Sequence, residues 1–206
     1  MTLTEHTTTP SPAASGVPTV ASLARDWARR TPDQVAMREK DFGIWKEYDW
    51  ATAWSLIEDA AHGLLALGVE PGDRVSIHAE DRPEWVILDL ATVAVRGVTV
   101  GFYPTNPAAE VEYLLQDCGA CVHFAEDEEQ FDKVDEIDRA SVPDLRTIIF
   151  VEPRGMIGKD DSRLLFWDNF LDLGREHKAK HPTAVADRMA AARAEDVMTL
   201  VYTSGT

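Results

Sequence analysis

Between Arg74 and Val151 the chain repeats one pattern. A short run rich in β-branched and aromatic residues is followed by a longer stretch whose apolar residues recur three and four apart. "RVSIHA" (74–79), "VTVGF" (98–102), "CVHFA" (121–125) and "TIIFV" (147–151) read as buried strands. Helices fill the spaces between them. Pro83 opens one that runs to Arg96, Asn106-Pro107 opens one that ends at Gly119, and an acidic one spans about 127–139. Strands alternating with helices of this length form βαβ units, so the pattern predicts an α/β fold with a parallel-rich sheet and flanking helices.

The flanks extend this frame. Val20, Leu23, Ala24, Trp27 and Ala28 mark one helical face, capped by Thr19 and closed near Thr31-Pro32. "QVAMR" (34–38) and "IWKEYDW" (44–50) predict two strands about a turn holding Asp41 and Gly43. Ala53, Leu56, Ala60, Leu64 and Leu67 predict a second helix stopped by Gly68. Segment 152–182 reads as loop-rich with a short helix around Phe166–Leu173, and "VMTLVY" (197–202) reads as a last strand. Residues 1–18, rich in Thr, Pro, Ser and Ala, are expected to be a disordered tail. They have neither the basic start nor the apolar run of a signal or transit peptide. Residues 19–206 show no composition break and are read as one unit.

Composition narrows the partners. A net charge of -16 argues against nucleic acid or anionic membrane as the main partner. The longest apolar stretch, Trp85 to Val100, is interrupted by Asp89 and Arg96, so no transmembrane segment is predicted and a cytoplasmic protein is expected; peripheral membrane contact stays open. Two cysteines provide no disulfide framework.

Four stretches could carry chemistry. Cys118 and Cys121 have redox-pair spacing, but they close a helix and open a strand, the reverse of the thioredoxin arrangement. His177 and His181 lie far outside finger spacing from them, so no metal site is expected and two small core residues is the reading. "RGMIGKD" (154–160) has only Met156 and Ile157 between its glycines and Asp160 after its lysine, which makes it a surface loop rather than a phosphate loop. The acids from Glu126 to Asp138 lie over Phe131, Val134 and Ile137 and read as a solvated helix face. "YTSGT" (202–206) is different. A plain turn is the simple reading, but a Gly-containing turn aims successive backbone N–H groups into one concavity, and three hydroxyls add donors there. It also follows a parallel strand, beyond whose carboxyl end open α/β sheets keep their ligands.

"YTSGT" resembles the first half of the phosphate-binding signature of adenylate-forming enzymes, in which "TSGT" precedes a Thr-Gly pair and then Pro-Lys-Gly. Residues 48–77 and 91–120 resemble that superfamily's early blocks, in the right order. "REKDFGIWKEYDW" (38–50), "EDRPEW" (80–85) and "GFYPTNP" (101–107) resemble the long-chain fatty-acyl-CoA synthetase branch. The resemblance runs from about Val20 to Thr206.

The resemblance implies an acid–thiol ligase: a fatty acid attacks the α-phosphate of Mg-ATP, and coenzyme A then displaces AMP from the acyl-adenylate. ATP, Mg²⁺ and coenzyme A are thus the implied cofactors, and the fatty acid, ATP and coenzyme A are the small-molecule partners. Thr203, Ser204, Gly205 and Thr206 are the implied cofactor-binding residues, gripping the β- and γ-phosphates. The signature's second half, its lysine, the later nucleotide motifs and the C-terminal domain with its adenylation lysine are not among residues 1–206. The resemblance therefore implies an incomplete N-terminal part of the large domain, cut inside the phosphate-binding loop. It implies no catalytic or metal-ligating residue in this stretch and no activity for it alone. A ligase of aryl, short-chain or amino acids, or a non-catalytic α/β binding module, are the alternatives.

Overall fold

The computed structural model describes residues 18–203. Helix α1 (Val20–Arg30) leads into an antiparallel hairpin, β1 (Val35–Asp41) and β2 (Ile44–Asp49), and then α2 (Trp50–Ala66). The alternating unit follows: β3 (Arg74–His78), α3 (Pro83–Ala94), β4 (Val98–Phe102), α4 (Ala108–Cys118), β5 (Ala120–Ala125), α5 (Glu128–Asp135) and β6 (Thr147–Phe150). The chain continues through β7 (Leu164–Phe166), α6 (Trp167–Lys180), α7 (Ala184–Ala190) and β8 (Thr199–Leu200). Strands β3 to β8 form one sheet in the order β7-β6-β5-β3-β4-β8, parallel throughout.

Local chemistry sets the element ends. Thr19, Asp49 and Asp127 accept the Ser22, Thr52 and Gln130 backbone N–H groups and start α1, α2 and α5, each cap contributing about 1 kcal/mol. Phe42 and Gly43 both have positive φ, 46° and 84°, the primed turn that matches hairpin twist. Gly119 ends α4 in the left-handed region, where the Arg74 guanidinium donates to the Cys118 and Gly119 carbonyls at 2.5 and 2.7 Å. One arginine thus closes the α4 end against the start of the central strand.

Two cores flank the sheet. One packs α1, α2, α3, α6 and α7 against Val75, Ile77, Val122, Phe124 and Ile149. The other packs α4 and α5 against Val100, Phe102, Ala125 and Ile148. Strand alternation puts Ser76, His78 and His123 on the second side, all fully buried.

The strands expected near 74–79, 98–102, 121–125 and 147–151 are present in a parallel sheet. Three expectations need correction. The strand expected over 197–202 is reduced to Thr199–Leu200, paired only with β4, and Val197 and Val201 are exposed. The region read as loop-rich carries β7, the fourteen-residue α6 and α7. Gly174 lies inside α6; a Cβ there would overlap the Asp59 carbonyl of α2, so the glycine is a close-approach point. The acidic helix is shorter than expected, ending at Asp135 ahead of a single 3₁₀ turn at Arg139–Ser141.

Candidate functional site

The candidate phosphate turn hangs from β8. Arg96, at positive φ after α3, donates two hydrogen bonds to Asp196 at 2.8 and 3.0 Å and brings the incoming chain to the sheet. The Thr99 backbone N–H donates to the Met198 carbonyl, and the Thr199 hydroxyl donates to the Thr99 carbonyl, each at 3.0 Å. The chain then leaves at the carboxyl edge. The Tyr202 hydroxyl donates to the Asp117 carboxylate of α4 at 2.6 Å. Burial first, and then that carboxylate, push the Tyr202 phenol well above its usual pKa, so it remains a donor. Thr203 follows, exposed. Ser204, Gly205 and Thr206, the other expected phosphate-binding residues, lie outside the described residues.

The neighbouring turn, "YPTNP", is held from beneath. The His78 ring donates from Nε2 to the Tyr103 carbonyl at 3.1 Å, and Lys133 Nζ donates to the Pro104 carbonyl at 2.7 Å. Burial depresses the His78 pKa to about 4, so the ring is neutral at pH 7 and Nε2 carries its proton. His123, its ring centroid 5.7 Å from that of His78, is also strongly depressed, first by burial and then by its neighbour. The buried pair therefore acts as an uncharged prop under the β4 exit.

Residue-by-residue reading did not single out a second place at the same edge. β4 and β5, which follow β3 in turn, lie on opposite sides of it, so the strand order reverses between β3 and β5. Such switch points open ligand crevices in α/β sheets. Here Glu126 accepts the Glu80 backbone N–H at 2.8 Å and Arg82 at 3.2 Å, and Arg82 also donates to Glu84 at 2.7 Å. A recess of about 760 Å³ lies between this cluster and the β1–β2 hairpin. Its lining has six carboxylates (Glu39, Asp41, Glu80, Asp81, Glu126, Glu152) and three cations (Arg38, Lys40, Arg82). That balance disfavours a triphosphate in this recess.

The remaining sequence candidates have structural roles. Cys118 and Cys121 are free and buried in opposite cores. Burial raises both thiols, Cys118 to about 11, so neither is a thiolate at pH 7. Lys159 of the "GKD" loop pairs with Asp132 of the acidic helix, and Phe131 and Val134 anchor that helix from below.

Comparison with known proteins gives a consistent picture. Residues 24–206 match the family described as AMP-binding enzyme. The long-chain-fatty-acid–CoA ligase FadD15 of Mycobacterium tuberculosis is 39% identical over 188 residues, 91% of this chain and 29% of that protein. Among solved structures, the anthranilate CoA ligase AuaEII in complex with anthranoyl-AMP aligns over 90% of this chain and 32% of its own, with TM-score 0.72 and 23% identity. The acetoacetyl-CoA synthetase from Streptomyces lividans aligns over 90% of this chain and 28% of its own, with TM-score 0.67 and 27% identity. The chain thus spans less than a third of the length of each.

Proposed function

The chain belongs to the AMP-binding enzyme family, and on that premise we propose that it forms part of the N-terminal domain, residues 19–206, of a cytoplasmic long-chain fatty acid–CoA ligase. The proposed reaction converts fatty acid, ATP and coenzyme A into acyl-CoA, AMP and pyrophosphate through an acyl-adenylate. The observation that carries it is the placement of Thr203, delivered by parallel strand β8 beyond the carboxyl edge and braced by the Tyr202–Asp117 hydrogen bond. The 39% identity to a long-chain ligase supports the substrate class. Among the described residues, no helix is long and apolar enough to cross a membrane.

The turn's donor set suits phosphate. Thr203, Ser204 and Thr206 would supply hydroxyls, and a glycine at 205 would let backbone N–H groups converge on a phosphate. As the fatty-acid carboxylate attacks the α-phosphate, charge moves onto pyrophosphate, and fixed donors there stabilise the transition state more than the ground state. Mg²⁺ bound with ATP supplies additional charge neutralisation on the phosphates. Among the described residues, no three His, Cys, Asp or Glu side chains are grouped to hold a metal ion.

The test is pyrophosphate release by the intact protein with Mg-ATP and a panel of long-chain, short-chain and aryl acids. Turnover on long-chain acids that falls roughly 10²-fold in Thr203→Ala, with little change in the fatty-acid KM, is the expected result. Turnover confined to aryl or short-chain acids would assign the chain to another branch of the family. Undiminished turnover in Thr203→Ala would put the phosphate grip elsewhere. Residues 1–206 alone are expected to give no acyl-CoA.

A further inference from the structure

β8 is the shortest strand of the six-stranded sheet. Its ladder has two pairs, Thr99 opposite Thr199 and Val100 opposite Leu200. The register of a strand is ordinarily fixed by alternation of apolar and polar residues, because a slip of one residue turns every side chain to the other face. "VMTLVY" (197–202) has no such alternation. Met198, Leu200 and Tyr202 share one face, Val197 and Val201 share the other, and Thr199 alone interrupts the apolar run. A β8 slipped by one residue would still offer apolar side chains to both faces.

Arg96 and Asp196 supply what the pattern lacks. Each stands three residues ahead of the first ladder pair, Arg96 before Thr99 and Asp196 before Thr199. The guanidinium grips both carboxylate oxygens, Nε donating to Oδ2 at 2.8 Å and Nη2 donating to Oδ1 at 3.0 Å. A slip of one residue, about 3.3 Å, would break that fork. Oδ2 also accepts the Arg193 backbone N–H at 3.0 Å, which steadies the carboxylate from its own chain. Arg96 has a φ of 66°, in the left-handed region, and its carbonyl accepts the Gly72 N–H at 2.8 Å. Glycine would hold that backbone position without strain, so an arginine there points to a role for its side chain.

We propose that Arg96 and Asp196 form the register lock of β8 and are positioning residues for the phosphate turn. The lock stands on the ladder and the ion pair; its catalytic consequence rests on the ligase reading. Thr203 lies seven residues beyond Asp196 in the same chain. A one-residue slip would move it about 3.3 Å along the strand direction and turn it to the opposite face. The pair acts on phosphate only through the strand that it holds.

The experiment compares the intact wild type with Arg96→Gly, Asp196→Asn and the double variant. Arg96→Gly removes the fork and relieves the backbone together, so loss of the lock is not masked by new strain. Amide exchange is followed by mass spectrometry, and pyrophosphate release is measured with Mg-ATP and a long-chain acid, per folded molecule. Exchange across 197–203 is expected to quicken roughly tenfold in each single variant, while 74–78 and 120–125 keep their rates. kcat is expected to fall roughly tenfold in each, with the fatty-acid KM unchanged. The double variant should fall no further than the single ones, because the two residues act as a unit. Unchanged exchange across 197–203 in both single variants would overturn the lock. A pair that serves stability alone would lower the urea midpoint and leave kcat per folded molecule unchanged, and that result would overturn the positioning role. A wild type without turnover on any acid would count against the ligase reading, and the exchange rates would still decide the lock.

Discussion

His62 Nδ1 and His177 Nδ1 face each other 2.9 Å apart across the α2–α6 crossing. One must donate and the other accept. His62 is fully buried and its Nε2 has no partner, so a proton on Nε2 would be stranded. His62 therefore carries its proton on Nδ1 and donates, while His177 accepts and holds its own proton on Nε2. Both pKa values are depressed, first by burial and then by neighbouring positive charge: His177 acting on His62, and His181 and Lys180 acting on His177. Protonating His177 at Nδ1 removes the acceptor. A double-mutant cycle with His62→Ala and His177→Ala should give a coupling of about 1 kcal/mol at pH 7.5. Repeated at a pH low enough to protonate His177, the coupling should shrink; an unchanged value would mean that the two rings are held by packing alone.

The buried pair under the β4 exit predicts acid sensitivity of the whole fold. An unfolded histidine titrates near 6.5, whereas His78 titrates at about 4 in the fold. Between those values the unfolded chain binds more protons, so this contribution is fully present above about pH 6.5 and is lost as pH falls through 4. For His78 alone the loss is about 3 kcal/mol. Urea midpoints measured from pH 7.5 to 4 should fall in wild type and fall less steeply in His78→Gln, which keeps an Nε2 donor for the Tyr103 carbonyl and leaves His123 depressed.

Gly174→Ala provides a test in which helix propensity and packing predict opposite signs. In an exposed helix, Ala would stabilise by about 1 kcal/mol relative to Gly. At the α2–α6 crossing the new Cβ meets the Asp59 carbonyl and the Gly63 backbone nitrogen. We expect a net loss of about 1–3 kcal/mol, read as a lower urea midpoint with unchanged m-value.

The thiols should be silent in the folded protein. Cys118 and Cys121 are expected to react with a disulfide reagent only as the chain opens, with rates that rise in step with urea. Changing both to Ala should cost modest stability; stoichiometric zinc in purified wild type, lost in the double variant, would contradict this.

The central sheet was legible because punctuation and composition agree there. β-branched runs at 74–79, 98–102 and 147–151 are bounded by Gly, Pro or Asp, and no tertiary contact is needed to recognise them. The α6 region was not legible for the opposite reason. Gly174 serves a partner helix more than a hundred residues upstream, a role with no local signature in the sequence. The same applies at the edge of the sheet. Thr203 was found through wording that resembles a family signature, whereas the Glu80–Arg82–Glu126 cluster joins positions 44 and 46 residues apart and has no local pattern.

The strand order β7-β6-β5-β3-β4-β8 has a consequence for the order of assembly. β3, the first parallel strand made, lies in the interior, and β4, β5, β6 and β7 can each dock on a strand already in place as synthesis proceeds. Each of these steps closes a comparatively short stretch of chain. β8 alone must return to the opposite edge, pairing Thr199 with Thr99 after a hundred residues have intervened. That closure carries the largest entropic cost and has the fewest ladder bonds to offset it. A nascent chain can therefore hold a five-stranded sheet with the β4 edge bare, open to strand exchange with a second nascent copy, until β8 arrives. Among strands β3 to β8, β8 is then the last to be protected from amide exchange on folding and the first to open.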